Sequence, residues 1–195
     1  MTVSSQSVPV IVTTRRHGDA RGWFAESYNA RRLAEAGIDT IFVQDNHSYS
    51  AKPGTLRGLH FQTPPHAQVK LVRCLRGAIW DVLVDLRKGS PSYGQWVAAE
   101  LSADNGDQLF VPAGFAHGFV TLAPDTEIAY KVSDFYAPSS DGGIAWDDPE
   151  LGIDWPLDGL TPELSDKDRA LPGLDAFDSP FAYDGKPLGA LERLA

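Results

Sequence analysis

The chain has 195 residues, 43% of them hydrophobic, and a formal net charge of −9. That is enough apolar content for one sizeable core, and there is no basic stripe to neutralise phosphates, so a nucleic-acid partner is excluded. The single cysteine, Cys74, excludes an internal disulfide framework and suits a reducing compartment.

Met1 to Val8 is polar and lacks the charged-then-apolar order of a signal peptide. No apolar run approaches the ~20 residues that span a bilayer. The expectation is a cytoplasmic protein with no membrane partner. Asn29 predicts a helix cap over Ala30 to Ala36, with Gly37 as the stop. The helix is short, so it decorates the core rather than building it. From Thr55 onward the hydrophobic period is two. Strands are predicted at Thr55–Gln62, Val69–Leu75, Trp80–Leu86, Trp96–Leu101, Gln108–Val111, Gly118–Leu122 and Glu127–Val132. Turn residues separate them, as in Lys88-Gly-Ser-Pro91 and Ala103-Asp-Asn-Gly106. Short strands at such spacing predict an all-β sandwich or barrel with a few short peripheral helices. After residue 137 the chain turns irregular and proline-rich, with Trp146 and Trp155 expected to pin it to the barrel. One domain over 1–195 is expected, with its core at about 8–172.

Thr55-Leu-Arg-Gly-Leu-His-Phe-Gln62 carries the first chemistry. Histidine is the side chain whose unperturbed pKa lies nearest neutrality. A lone strand histidine is more often structural than catalytic, so His60 by itself decides nothing. Lys70, Asp81 and Tyr130 each interrupt an apolar strand, and Lys and Asp are seldom buried without a partner. Several such interruptions in one barrel suggest a polar lumen, and barrel mouths are common ligand sites. With His117, these residues supply a base, a cation for an enolate oxygen and a phenol to return a proton. A metal-dependent cupin is a weaker reading, because five residues, including Pro64-Pro65, separate His60 from His66 and no Asp or Glu lies between His60 and Trp80. His17 and His47 read as loop or edge residues, His66 as solvated and Cys74 as packing. Hydrolase, kinase and dehydrogenase motifs are absent. Strict alternation puts Arg57 and His60 on opposite faces, so one site can use both only if the chain bends at Gly58 or Arg57 reaches round from the strand end.

The motifs resemble the dTDP-4-dehydrorhamnose 3,5-epimerase family over roughly residues 8 to 172. They include Asp19-Ala-Arg-Gly-Trp-Phe-Ala-Glu26, Val43-Gln-Asp-Asn-His-Ser48, Leu56-Arg-Gly-Leu-His-Phe-Gln62, Pro112-Ala-Gly-Phe-Ala-His-Gly-Phe119 and Leu164-Ser-Asp-Lys-Asp168, in family order. The resemblance implies a metal-free, cofactor-free, cupin-like jelly roll acting on a dTDP-sugar, usually as a homodimer with exchanged strands. It implies His60 as general base supported by Asp168, Tyr130 as the acid opposite, and Lys70 as the enolate-stabilising cation. Arg57 matches a diphosphate ligand, and Asp81 and His117 match site-lining residues. Arg21, Phe24 and Glu26 match a nucleotide-contacting segment of the partner subunit. Gln44 and Asn46 match further nucleotide and sugar contacts, and Tyr136 an aromatic near the base. The sequence departs at Phe61, where many members carry Tyr, and at Ser139-Ser-Asp141, which lacks a common Glu. The implied reaction is double epimerisation toward dTDP-L-rhamnose. A single-carbon epimerase and a non-catalytic sugar-nucleotide binder are the alternatives.

Overall fold

The structure, a computed structural model, describes residues 6–194. Thirteen strands occur among the described residues: β1 Val10–Val12, β2 Arg16–Asp19, β3 Gly22–Ala25, β4 Gln44–Ser50, β5 Leu56–Gln62, β6 Lys70–Arg76, β7 Ala78–Asp85, β8 Trp96–Ser102, β9 Gln108–Val111, β10 Phe115–Thr121, β11 Thr126–Val132, β12 Asp141–Gly143 and β13 Glu192–Leu194. They form a six-stranded sheet, β13-β1-β9-β6-β11-β4, a five-stranded sheet, β12-β5-β10-β7-β8, and the hairpin β2-β3. The sheets are antiparallel apart from the parallel pairing of β13 with β1. The all-β jelly-roll architecture agrees with the sequence reading.

Alternation along β7 shows how the layers form. Ile79 and Leu83 join Val72, Leu109, Phe119 and Ile128 in a cluster fed by both sheets, so the odd positions face the lumen. Val82 and Val84 join Ile144, Leu151, Trp155 and Phe181, so the even positions face outward beneath the C-terminal segment. Both faces of β7 are covered, which is why it reads as a nearly continuous apolar run. Trp155 donates from its indole to the Trp146 carbonyl at 2.9 Å, and both rings pack on this outer cluster.

The helix α1 runs over Ala30–Glu35, one residue shorter than predicted, with Asn29 Oδ1 accepting from the Arg31 and Arg32 amides. Its Leu33 lies with Val10, Ile38, Leu71 and Phe110 on the outer face of the six-stranded sheet. A second helix, α2 (Asp166–Arg169), follows in the irregular region. The strands β1, β2, β3, β4, β12 and β13 were not predicted. Three of them are only three residues long, and β4 alternates with polar residues on an open edge.

Candidate active site

The strand β5 brings Arg57 and His60 to the same side. Along β10 the pairing moves two steps, from His117 opposite His60 to Phe119 opposite Arg57, while β5 moves three. The extra residue is a bulge at Gly58, where φ is +130°. Leu56, Leu59 and Phe61 consequently share the outer cluster. Arg57 and His60 both line a cavity of about 650 Å³ at the open end of the lumen. The Arg57 guanidinium donates to the Tyr49 carbonyl and Ser50 Oγ at 3.2 and 3.3 Å, which places it at the cavity mouth.

Five further residues singled out in the sequence meet here. Lys70, His117, Tyr130 and Asp168 line the cavity, and Asp81 is buried behind His117. His60 Nε2 lies 2.5 Å from Asp168 Oδ1. His117 Nε2 lies 2.6 Å from Asp81 Oδ1, a close approach off the line of an aligned hydrogen bond. His60 and His117 come from the five-stranded sheet and Lys70 and Tyr130 from the six-stranded sheet, so the His60 imidazole and the Tyr130 phenol occupy opposing walls. An adjoining lobe of about 220 Å³ is lined by Gln44, Asn46 and Tyr136, together with His60, Lys70 and Tyr130.

Burial sets the protonation states. It lowers the His60 pKa below the ordinary imidazole value; Asp168 opposes the shift, and Lys70 and Lys167 add to it. His60 is thereby held neutral and ready to accept a proton. Burial also brings Lys70 down to about 8, with Asp81 and Asp141 opposing, so the ammonium persists at neutral pH. Tyr130 is raised by burial against the pull of Arg57, which keeps the phenol protonated.

Arg21, Phe24 and Glu26 do not join this cavity in their own chain. Arg21 sits in the β2–β3 turn, 2.5 Å from Asp19, and Phe24 and Glu26 border a separate cavity of about 600 Å³ at the hairpin base. His47 and His66 pair with Glu127 and Asp134 at 3.0 and 3.2 Å. Lys167, Asp141 and Ser165 are among the cavity groups not singled out from the sequence. Lys167 lines both lobes and donates to Asp141 Oδ2 at 2.5 Å; that oxygen also accepts from the Tyr136 hydroxyl at 3.1 Å. Ser165 borders Asp168. Ser165 and Lys167 belong to the four-residue α2 and its cap, and Asp141 opens the three-residue β12, elements too short for a period to mark which way a side chain points.

The family model described as dTDP-4-dehydrorhamnose 3,5-epimerase matches residues 7–176. The chain belongs to the dTDP-4-dehydrorhamnose 3,5-epimerase family. As a member it is an isomerase. The family's enzyme from Salmonella typhimurium is 52% identical over 178 residues, covering 90% of this chain and 96% of that one. A Bacillus anthracis epimerase structure with TDP and PPi bound is 54% identical, covers 85% of this chain and 94% of its own, and superposes with a TM-score of 0.83. A Legionella pneumophila epimerase in complex with dTDP-4-keto-L-rhamnose is 45% identical, with coverage of 87% and 95% and a TM-score of 0.81. Among the described residues no helix is long and apolar enough to cross a membrane.

Proposed function

We propose that this isomerase inverts C3 and C5 of dTDP-4-dehydro-6-deoxy-D-glucose, giving dTDP-4-dehydro-L-rhamnose for dTDP-L-rhamnose biosynthesis. The observation that carries the reading is one cavity with the His60–Asp168 pair on one wall, Tyr130 on the other and the buried Lys70 between strands of the second sheet.

In a 4-keto sugar, C3 and C5 both flank the carbonyl, so removing either proton gives an enolate at the same oxygen. His60 takes the proton from carbon, and Asp168 stabilises the imidazolium that forms. The buried Lys70 ammonium holds the enolate oxygen. Tyr130 returns a proton from the opposite side, which inverts the carbon. The substrate carbonyl is the electron sink, so the steps need no cofactor. Arg57 at the mouth holds the diphosphate, and Gln44, Asn46 and Tyr136 border the nucleotide and sugar. The enzyme works as a cytoplasmic homodimer in which Arg21, Phe24 and Glu26 reach the partner's nucleotide. Their exposed position, outside the lining of their own cavity, supports that arrangement.

The deciding experiment incubates the protein with dTDP-4-dehydro-6-deoxy-D-glucose in deuterated water and follows label by NMR. Label at both C3 and C5 supports double epimerisation. Label at one carbon assigns a single-carbon epimerase, and at neither it removes this substrate. His60→Asn should abolish exchange at both carbons; Tyr130→Phe should retain exchange but impair inversion.

A further inference from the structure

The carboxylate that meets His60 has a second oxygen, and one side chain is built against it. Ser165 Oγ donates to Asp168 Oδ2 at 2.8 Å and accepts from the Asp168 amide at 3.1 Å. We infer that Ser165 is a positioning residue for the base, its hydroxyl holding the Asp168 carboxylate in the orientation that aims Oδ1 at His60. The inference rests on the reading of His60 as base and Asp168 as its support.

Ser165 is the N-cap of α2, with φ −73° and ψ 160°. Helix capping needs only an acceptor for an orphan amide, and the hydroxyl provides it. Its donation to the third helical residue's side chain is a separate contact. In a capping box the carboxylate at that position turns back to the cap's own amide; here Oδ1 is turned to the imidazole instead. With four residues, α2 is too short to fix a side chain by its own rigidity. The segment is anchored to β5, the strand that bears His60: the Leu56 amide donates to the Glu163 carbonyl at 3.0 Å, and Thr55 bridges Glu163. Ser165 thus ties Asp168 to a frame fixed relative to the base. Asp168 is buried, and a buried carboxylate oxygen left without a donor turns toward another.

The groups facing the imidazole are Asp168 and Lys167 from α2, Lys70 from β6, His117 from β10, Tyr130 from β11, Arg57 on its own strand, and Asp141 and Tyr136 at the adjoining lobe. Ser165 touches Asp168 alone among these in the hydrogen bonds described.

The test compares Ser165→Gly, Ser165→Asp and Ser165→Thr. Gly and Asp both serve as helix caps, but neither offers a hydroxyl to Oδ2, and Asp adds a like charge. Both should lose on the order of 10-fold or more in kcat with KM unchanged. The acid limb of kcat/KM should move to higher pH in the Gly variant, because an Oδ2 charge no longer shared with a hydroxyl holds the imidazolium proton more tightly. Thr should restore kcat. A Gly variant with wild-type kcat, or with its acid limb unmoved or lowered, overturns the inference. So does an Asp variant of wild-type activity, which keeps the test open if the Gly variant fails to fold. Asp168→Asn separates the two readings. Full activity there removes Asp168 as the support of the base and the inference with it; an inactive Asp168→Asn beside a normal Ser165→Gly removes the inference alone.

Discussion

A methyl group built on Gly58 would lie 2.5 Å from the Cα of Gly118. Real Cβ atoms do not approach backbone so closely, so β5 and β10 meet here because neither residue has a side chain. Gly58 also holds φ +130°, a conformation L side chains rarely adopt. Gly58→Ala should cost about 3 kcal/mol or more, read as the shift in urea midpoint. In the fraction that folds, KM should rise more than kcat falls, because the displaced residue is Arg57. Gly118→Ala should be milder, since its Cβ would meet the Arg57 carbonyl at 2.9 Å without a positive φ. An unchanged midpoint in Gly58→Ala would show that the strands do not depend on this approach.

The pH dependence of kcat/KM should be bell-shaped. The base must be neutral, and His60 loses its proton below the ordinary imidazole value of 6.5, so the acid limb lies below that pH. The cation that stabilises the enolate must be charged, and Lys70 loses its proton at about 8, so activity falls as pH rises through that value. Lys70→Arg tests the second assignment: its residual activity should show no limb near pH 8, since a guanidinium does not deprotonate there. A wild-type limb retained in that variant would assign it to another group.

The same lysine links stability to pH. Its folded pKa of about 8 lies below the unfolded value of 10.5. Between these values the unfolded chain holds a proton that the folded one has released, so Lys70 makes stability rise with pH across that window. The cost of burying the ammonium is felt in full below pH 8. Lys70→Met lacks this rise. Wild type should therefore gain on the variant by roughly 3 kcal/mol between pH 8 and 10.5, measured by urea unfolding at stepped pH. Parallel curves would show that the ammonium is not dehydrated.

The lumen was legible because β5, β6, β7 and β11 are long enough for alternation to sort their faces. Lys70, Asp81 and Tyr130 stood out as polar breaks in apolar runs; Lys70 and Tyr130 line the cavity, and Asp81 is buried behind His117. The Arg57–His60 parity conflict was legible as well, and the Gly58 bulge resolves it. Ser165, Lys167 and Asp141 were not legible as site groups, because α2 and β12 are too short to show a period and their places depend on anchoring to β5. The hairpin β2–β3 was missed for a related reason: Arg16–Asp19 and Gly22–Ala25 are four residues each and almost wholly exposed, so neither face carries an apolar pattern.

If the hairpin serves the partner's site, two defective subunits should rescue each other. Arg21→Ala removes a nucleotide contact from the partner's cavity, and His60→Asn removes the base from its own. A heterodimer then has one cavity with both defects and one with neither. Coexpression should restore about a quarter of wild-type activity at low substrate, as random pairing of a two-fold dimer requires. Activity no higher than the sum of the parents would place Arg21 in its own chain's site or in none.

The residues after 176 lie beyond the stretch matched by the family model, yet they close the fold. Phe181 packs with Leu86 and Ala116, and its carbonyl accepts from the Lys88 amide at 2.7 Å. Arg87, 3% exposed, is held by Asp85 at 2.8 Å and by Asp184 at 3.0 Å, with the Tyr183 ring beside it. The strand β13 covers the edge of β1. Cutting the chain after Ala176 would uncover a buried guanidinium, leave its charge with one carboxylate fewer, and open an edge strand to pairing with other chains. The truncated protein should therefore aggregate. Phe181→Ala is the gentler probe and should cost about 3–5 kcal/mol in urea unfolding. Its kcat per folded molecule should stay at the wild-type value, because the cavity lining ends at Asp168 among the described residues. A loss of kcat without a loss of stability would mean instead that the tail acts on the site.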